Sequence, residues 1–200
     1  MKVLIATLYS PDPVLLAANR LGPDRLILLI NKESNKVQEE ALKVIKTSLG
    51  RVIDVKEVKV DVYDIVSTAA KTVNIIDLQP RDDQIFVNIT SGRKTQALGL
   101  LYGAYARSWK VKKIAYNPEE DRNAVIYLPK LSFKLTESQK EVLRVIDEEK
   151  NKDMSFSELA DKAKISKAMF YRNVDELRGM DLVSTEEGLK LTDAGKIARL

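Results

Sequence analysis

Apolar and polar positions follow two rhythms along this chain. Residues 2–8 (KVLIATL), 25–31 (RLILLIN) and 84–89 (QIFVNI) are nearly unbroken apolar runs of strand length. Such runs predict strands buried on both faces, as in a parallel sheet. Residues 52–60 alternate apolar with polar and predict a strand with one wet face. Between these runs the apolar spacing changes to three and four. After a turn at Ser10-Pro11-Asp12-Pro13, residues 14–22 read as a helix that stops at Gly22-Pro23. From Ser34, the positions Val37, Ala41, Val44, Ile45 and Leu49 predict the inner face of a helix closing on Gly50. Val62, Ile65, Val66, Ala69, Val73 and Ile76 predict another, and Ala97, Leu98, Leu101, Ala104 and Tyr105 a further one. Residues 112–117 and 124–129, joined by a polar loop at 118–123, predict an antiparallel hairpin at the sheet edge. Strands alternating with helices give an α/β fold, a Rossmann-like, mostly parallel sheet with helices on both faces, over residues 1–130.

The pattern turns helical near Pro129–Phe133, which marks a second domain at residues 131–200. Thr136 is placed to cap a helix with Leu143 and Ile146 inward, and Ser155 or Ser157 to cap a second with Leu159, Ala160 and Ala163 inward. Lys164-Ile165 forms a tight turn, and Ser166 caps a third helix whose core side is Phe170, Val174 and Leu177. Two short strands around Glu187-Gly188 and a last helix from Asp193 complete the order. The stretches SFSELADKAKISKAMFYRNVDELRGMDLV and LKLTDAGKIARL resemble the winged helix-turn-helix family. That resemblance implies double-stranded DNA as partner, with the third helix entering the major groove. Lys167, Ala168, Met169 and Arg172 then lie at its exposed tip, with Ser166, Lys167 and Tyr171 toward phosphates and Arg172 toward a phosphate or a guanine edge. The plainer reading of the same residues is a solvated helix face.

Composition narrows the chemistry more than it defines it. The chain has neither cysteine nor histidine, which removes disulfides, thiol nucleophiles, the usual zinc sites and imidazole acid–base catalysis. No run approaches the ~18 apolar residues of a membrane span, and the N-terminus lacks the layout of a secretory signal, so a cytoplasmic location without membrane contact is expected. The net charge of +4 divides unevenly. Residues 1–130 carry 20 Lys/Arg against 15 Asp/Glu, whereas residues 131–200 carry 13 against 14. DNA binding by the second domain therefore rests on local placement, with Lys162, Lys164, Lys167 and Arg172 as the basic set and an acidic wing tip at 185–188 opposing it. So few contacts predict a dimer on a two-fold site.

In open α/β sheets, ligands bind beyond the carboxyl ends of the strands. Two segments fall there: Thr7–Asp12 after the first strand, and Asn88–Gln96, where a strand runs through Ser91-Gly92 into a helix. Gly92 permits close backbone approach, Ser91 and Thr95 offer hydroxyls, Arg93 and Lys94 add charge, and a helix start offers free N–H groups. These favour a phosphorylated ligand, although a simple capping turn accounts for the same residues. The segment is no Walker A loop, and no GxGxxG follows the first strand, so no cofactor is expected.

A polar loop after the first strand, the Asn88–Lys94 turn and a C-terminal winged helix together resemble the CARF family, the CRISPR-associated Rossmann-fold sensors, in its transcription-regulator branch. The resemblance implies a homodimer whose sensor domains share a pocket for a cyclic oligoadenylate, commonly the tetra-adenylate. Its pocket would use Tyr9, Ser10, Asn88, Thr90, Ser91, Gly92, Arg93, Lys94 and Thr95. Ser91 departs from the pattern, standing where many relatives carry a second glycine. Some CARF proteins cleave their cyclic ligand without metal; Lys94 and Ser10 would then stabilise charge and position the reacting groups. Two other readings stay open: a winged-helix regulator of another phosphorylated metabolite, and a scaffold whose acidic wing binds protein.

Overall fold

The computed structural model describes residues 1–33, 35–118, 120–121, 124–129, 135–149, 154–186 and 188–200. The chain divides into two compact units, Met1–Ser132 and Phe133–Leu200. In the first, the expected strands form as β1 (Lys2–Thr7), β2 (Arg25–Asn31), β3 (Asp54–Val60), β4 (Gln84–Asn88) and β5 (Val111–Tyr116). They alternate with α1 (Pro11–Leu21), α2 (Lys36–Leu49), α3 (Ile65–Asp77) and α4 (Lys94–Ala106). A short β6 (Ile126–Tyr127) closes the sheet, whose order is β3-β2-β1-β4-β5-β6. The pairings among β1 to β5 are parallel, and β6 runs antiparallel to β5.

Each βα connection chooses a face. α1 and α2 cover one side over Leu4, Ala6, Leu26, Leu28 and Ile30. α3 and α4 cover the other over Val3, Ile5, Ile85, Val87 and Ile114. Three sequence expectations need correction. Leu98, assigned to the inner face of α4, is 40% exposed. The Pro11-Asp12-Pro13 segment is the first turn of α1 rather than a turn before it; the N–H groups that proline lacks have no intrahelical partner at a helix start. In α2, Val37 and Val44 face solvent while Gln38 is buried. The Gln38 amide donates to the Leu8 carbonyl (2.8 Å) and accepts from Asn31 N–H (3.2 Å), so a polar residue takes a position the apolar pattern assigned elsewhere. The helix is capped by Asn35, and Ser34 lies outside the described residues, as do Glu119, Arg122 and Asn123 of the predicted hairpin loop.

α3 and α4 pack unusually close. A Cβ on Gly99 would fall 2.6 Å from the Thr68 Cβ, and one on Gly103 2.5 Å from the Thr72 Cβ and 2.7 Å from the Ala69 carbonyl oxygen. Only hydrogen fits at these two positions, one helical turn apart.

The second unit has its own core of Val142, Leu143, Ile146, Leu159, Phe170, Val174, Leu177 and Leu182. α5 (Glu137–Glu148) and α6 (Phe156–Lys162) each begin with a reciprocal capping box, from Thr136 and Ser155. Lys164, at φ +54°, turns the chain from α6 into α7 (Lys167–Gly179), which Ser166 caps. The strands β7 (Val183–Ser184) and β8 (Lys190–Leu191) pair antiparallel before α8 (Asp193–Arg199). Glu187 of the expected wing tip and the predicted boundary residues 130–133 are outside the described residues.

Replacing Gly103 by alanine should lower the unfolding free energy by about 1–3 kcal/mol, because the new methyl meets backbone and a β-branched side chain. Urea denaturation checks this; a midpoint equal to that of the parent would refute the close helix contact.

Candidate functional site

The strand order places β1 beside both β2 and β4. From β1 the chain leaves into α1 on one face, and from β4 into α4 on the other. The carboxyl ends of β1 and β4 therefore straddle the point where the connections reverse, and the crevice of an open α/β sheet opens there. Both segments singled out in the sequence meet at this point.

Ser91 joins them. Its hydroxyl accepts from the backbone N–H groups of Tyr9 (2.9 Å) and Ser10 (3.1 Å) and donates to the Ser10 carbonyl (3.2 Å). Two acceptances and one donation use the full capacity of a hydroxyl. The Thr7 hydroxyl also donates to the Ser91 carbonyl. Ser91 is 5% exposed, so its side chain holds the two loops together rather than facing a ligand. Gly92 sits at φ +89°, and a Cβ there would fall 2.8 Å from that of Thr7, which makes glycine obligatory.

Other expected contacts are likewise turned inward. Asn88 is buried; its amide donates to Asn117 Oδ1 (2.8 Å) and accepts from Thr90 N–H (3.0 Å). The Thr90 hydroxyl accepts from Asn117 N–H at 2.8 Å. The Thr95 hydroxyl donates to the Val62 carbonyl, and Gln96 donates to the Leu29 carbonyl (2.9 Å). Thus Asn88, Thr90, Ser91 and Thr95 build the walls. Asn117, Gln96 and Gln38 share that task and were not singled out in the sequence. The available signal was a polar residue at a position the periodicity buries.

Four groups remain outward. Tyr9 lies under the Arg93 guanidinium, 5.6 Å from the ring centre. Arg93 and Lys94 are exposed, and among the described residues the Lys94 ammonium is in no ion pair. The Ser10 hydroxyl makes no capping bond to α1. Helix starts elsewhere in the molecule are closed by their own side chains: Asn35 for α2, Asp64 for α3, Thr136 for α5, Ser155 for α6, Ser166 for α7 and Thr192 for α8. α1 and α4, which flank the crevice, lack such caps, and α4 has no acidic residue in its first turn. The start of α4 therefore presents open N–H groups and the positive end of its dipole beside Arg93 and Lys94, an arrangement whose electrostatics suit an anion. A cleft of about 430 Å³ opens alongside, between Ser10, Pro13, Asn19, Thr90 and Asn117.

On α7, Lys167, Ala168, Met169, Tyr171 and Arg172 are exposed, while Phe170, Val174 and Leu177 are buried. The Ser166 hydroxyl is occupied by the cap on Met169 N–H (3.2 Å). Tyr171 packs on Phe156, with ring centres 5.1 Å apart. Arg172 pairs with Glu176 (2.9 Å), and its guanidinium holds the Glu176 carboxyl below the usual carboxylate range.

A family model described as "HFX_2341_N:-like, N-terminal" matches residues 3–121. No curated protein matches the chain by sequence. Among solved structures, Can2 from Sulfobacillus thermosulfidooxidans in complex with cyclic tetra-adenylate shares the fold, with a TM-score of 0.51, 16% identity, and coverage of 98% of this chain and 62% of that one. Enterococcus italicus Csm6 bound to cyclic hexa-2'-fluoro-hexa-dAMP matches with a TM-score of 0.52, 15% identity, and coverage of 91% and 55%. The chain thus spans less than two thirds of the length of either protein. Among the described residues, no helix is long and apolar enough to cross a membrane.

Ser91→Ala should cost about 1–3 kcal/mol of stability, since it strands two loop N–H groups, whereas Arg93→Ala should change stability by less than about 0.5 kcal/mol. Thermal and urea unfolding of the two variants measure the contrast. Equal losses would mean that Ser91 is no more structural than an exposed cation.

Proposed function

The chain belongs to the HFX_2341_N:-like, N-terminal family, and from that premise we propose that it is a ligand-responsive regulator binding a cyclic oligoadenylate in its α/β unit and double-stranded DNA through its second unit. The observation that carries this reading is the uncapped start of α4 at the reversal point, flanked by Arg93, Lys94 and the aromatic ring of Tyr9. Phosphates suit the open N–H groups and cations, and a purine suits the Tyr9 face. Two solved proteins of the same fold hold cyclic adenylate ligands, which agrees with the CARF resemblance.

A homodimer fits the surface of α4. The helix is apolar nearly all round, with Leu98 40% exposed and Ala97, Leu101 and Tyr102 only partly buried. A helix of that character ordinarily meets a second partner. A two-fold contact along it would bring two Lys94 sites together and let one cyclic ligand touch both chains.

The second unit is read as a winged helix-turn-helix. Its support is the order α5, α6, tight turn, α7, β7, β8, α8, with Lys167, Ala168, Met169 and Arg172 on the outer side of α7. Arg172 would exchange Glu176 for a phosphate or a guanine edge on docking. Ligand binding would shift the paired units between two arrangements, a coupling that typically amounts to about 1–3 kcal/mol. The free Ser10 hydroxyl and Lys94 ammonium also leave room for slow cleavage of the bound ring.

Calorimetric titration with cyclic tri-, tetra- and hexa-adenylate, beside linear oligoadenylates and a small phosphorylated nucleotide, tests the sensor. One cyclic species should bind at one ring per two chains. Arg93→Ala/Lys94→Ala should weaken it by about a hundredfold through lost charge-assisted bonds. Chromatography of the ligand after incubation reports any cleavage. Binding of the small nucleotide alone would favour the metabolite sensor, and absence of all binding would overturn the reading.

A further inference from the structure

Among the described residues of the first unit, helices cover only half of one sheet face. α1 and α2 bury the side of β1 and β2 that carries Leu4, Leu26 and Leu28. Beyond β1 no further crossover helix follows on that side, because β5 turns back into antiparallel β6 instead of entering another βα unit. Parallel strands normally have helices on both faces, so the surface of β4 and β5 left open here is unusual.

Its residues are equally unusual for a sheet interior. Phe86 and Tyr127 put two aromatic rings on this face, and Tyr127 is 57% exposed. The Lys112 ammonium sits 5.8 Å from the Phe86 ring centre, and that of Lys113 4.2 Å from the Tyr127 ring centre. The β4–β5 register slips between Ile85 and Phe86. On β5, Val111 and Ile114 point into the opposite core, so this irregularity turns both lysines to the open side. Arg20 borders the face from α1, near an apolar hollow of about 110 Å³ between Leu4, Phe86 and Tyr127. Neither β4, β5 nor β6 contains an aspartate or glutamate.

We propose that this open half-face is a platform for single-stranded nucleic acid, separate from the crevice and from α7. The exposed Tyr127 ring and the partly buried Phe86 ring beside it, flanked by cations, provide stacking for unpaired bases and neutralisation for the phosphates between them. A duplex keeps its bases stacked on one another and gains nothing from the rings. A second copy of the chain related by a two-fold axis would set lysines against lysines, which the charge opposes.

Fluorescence anisotropy of the full chain with labelled ten-nucleotide single strands, one RNA and one DNA, tests the proposal. Lys112→Ala/Lys113→Ala/Tyr127→Ala should weaken binding by at least about tenfold. The log affinity against log salt slope should become shallower by about 1.4, for two phosphate contacts removed. The triple variant should lose more strand affinity than either the Arg93→Ala/Lys94→Ala or the Lys167→Ala/Arg172→Ala protein, which separates this surface from the two sites already described. Should the triple variant melt early, Lys113→Glu alone carries the test with the same direction of change. The proposal is overturned if the parent binds no strand, if the triple variant or Lys113→Glu binds undiminished, or if an unlabelled duplex competes as well as the strand. Sedimentation that shows the triple variant losing an oligomeric state of the parent would instead make the face a self-association surface.

Discussion

The hydroxyl of Ser91 is the interaction on which the candidate site depends. The β1–α1 and β4–α4 loops leave the sheet toward opposite faces and would otherwise part at the reversal point. A single buried oxygen bonded to Tyr9, Ser10 and the Ser10 carbonyl holds them in one register. The consequence reaches outward: with the loops fixed, Tyr9 comes under Arg93, and Lys94 begins α4 at the mouth of the crevice. The small residue Gly92 is required by the same closeness, since the backbone passes against Thr7. Ser91 thus supports the proposed anion site without being one of its exposed groups.

Polar side chains carry this order through the upper rim of the sheet. Gln38 reaches the Leu8 carbonyl, Gln96 the Leu29 carbonyl, Thr95 the Val62 carbonyl, and Asn88 joins Asn117. Gln38 and Asn88 act where β1 and β4 end, Thr95 reaches the loop after β3, and Gln96 adds a second donor to the Leu29 carbonyl, which already accepts from Leu8 N–H. The loops are therefore bonded to one another as well as to the helices they introduce. Such a rim is pre-organised, which limits the ordering cost when a ligand settles among them.

Charge is distributed by the same economy of partners. Several cations of the first unit are paired with carboxylates, as in Arg25–Asp54, Lys46–Glu57 and Arg107–Asp77. Arg93 and Lys94 at the crevice and Lys113 on the open sheet face are directed to aromatic rings or to solvent instead, and Lys112 beside the Phe86 ring donates to Gln84 Oε1 (2.9 Å). In the second unit Arg172 is held by Glu176, whose other oxygen accepts from Gln139 of α5, so the outer face of α7 is tied to its own core before any partner arrives.

The element order, the parallel character of the sheet, the helical second unit and the two loops that meet at the reversal point are all legible in the order of residues. Those features follow from periodicity, from unbroken apolar runs and from local punctuation by glycine, proline and capping residues, all of which act within a few positions. What local pattern misassigns are side chains whose role is set by partners distant along the chain. Periodicity assigns Val37 and Val44 to the core and omits Gln38, because only the neighbouring carbonyl of Leu8 makes burial of an amide favourable. Ser91, Asn88 and Thr95 have the chemistry of ligand contacts, but the positions of Ser10, Asn117 and Val62 turn them into framework. The reversal point, the uncapped start of α4 beside it and the open half-face of the sheet arise only when strands remote in sequence lie side by side. Strand order and hydrogen-bond satisfaction are properties of that assembly, so no local pattern encodes them.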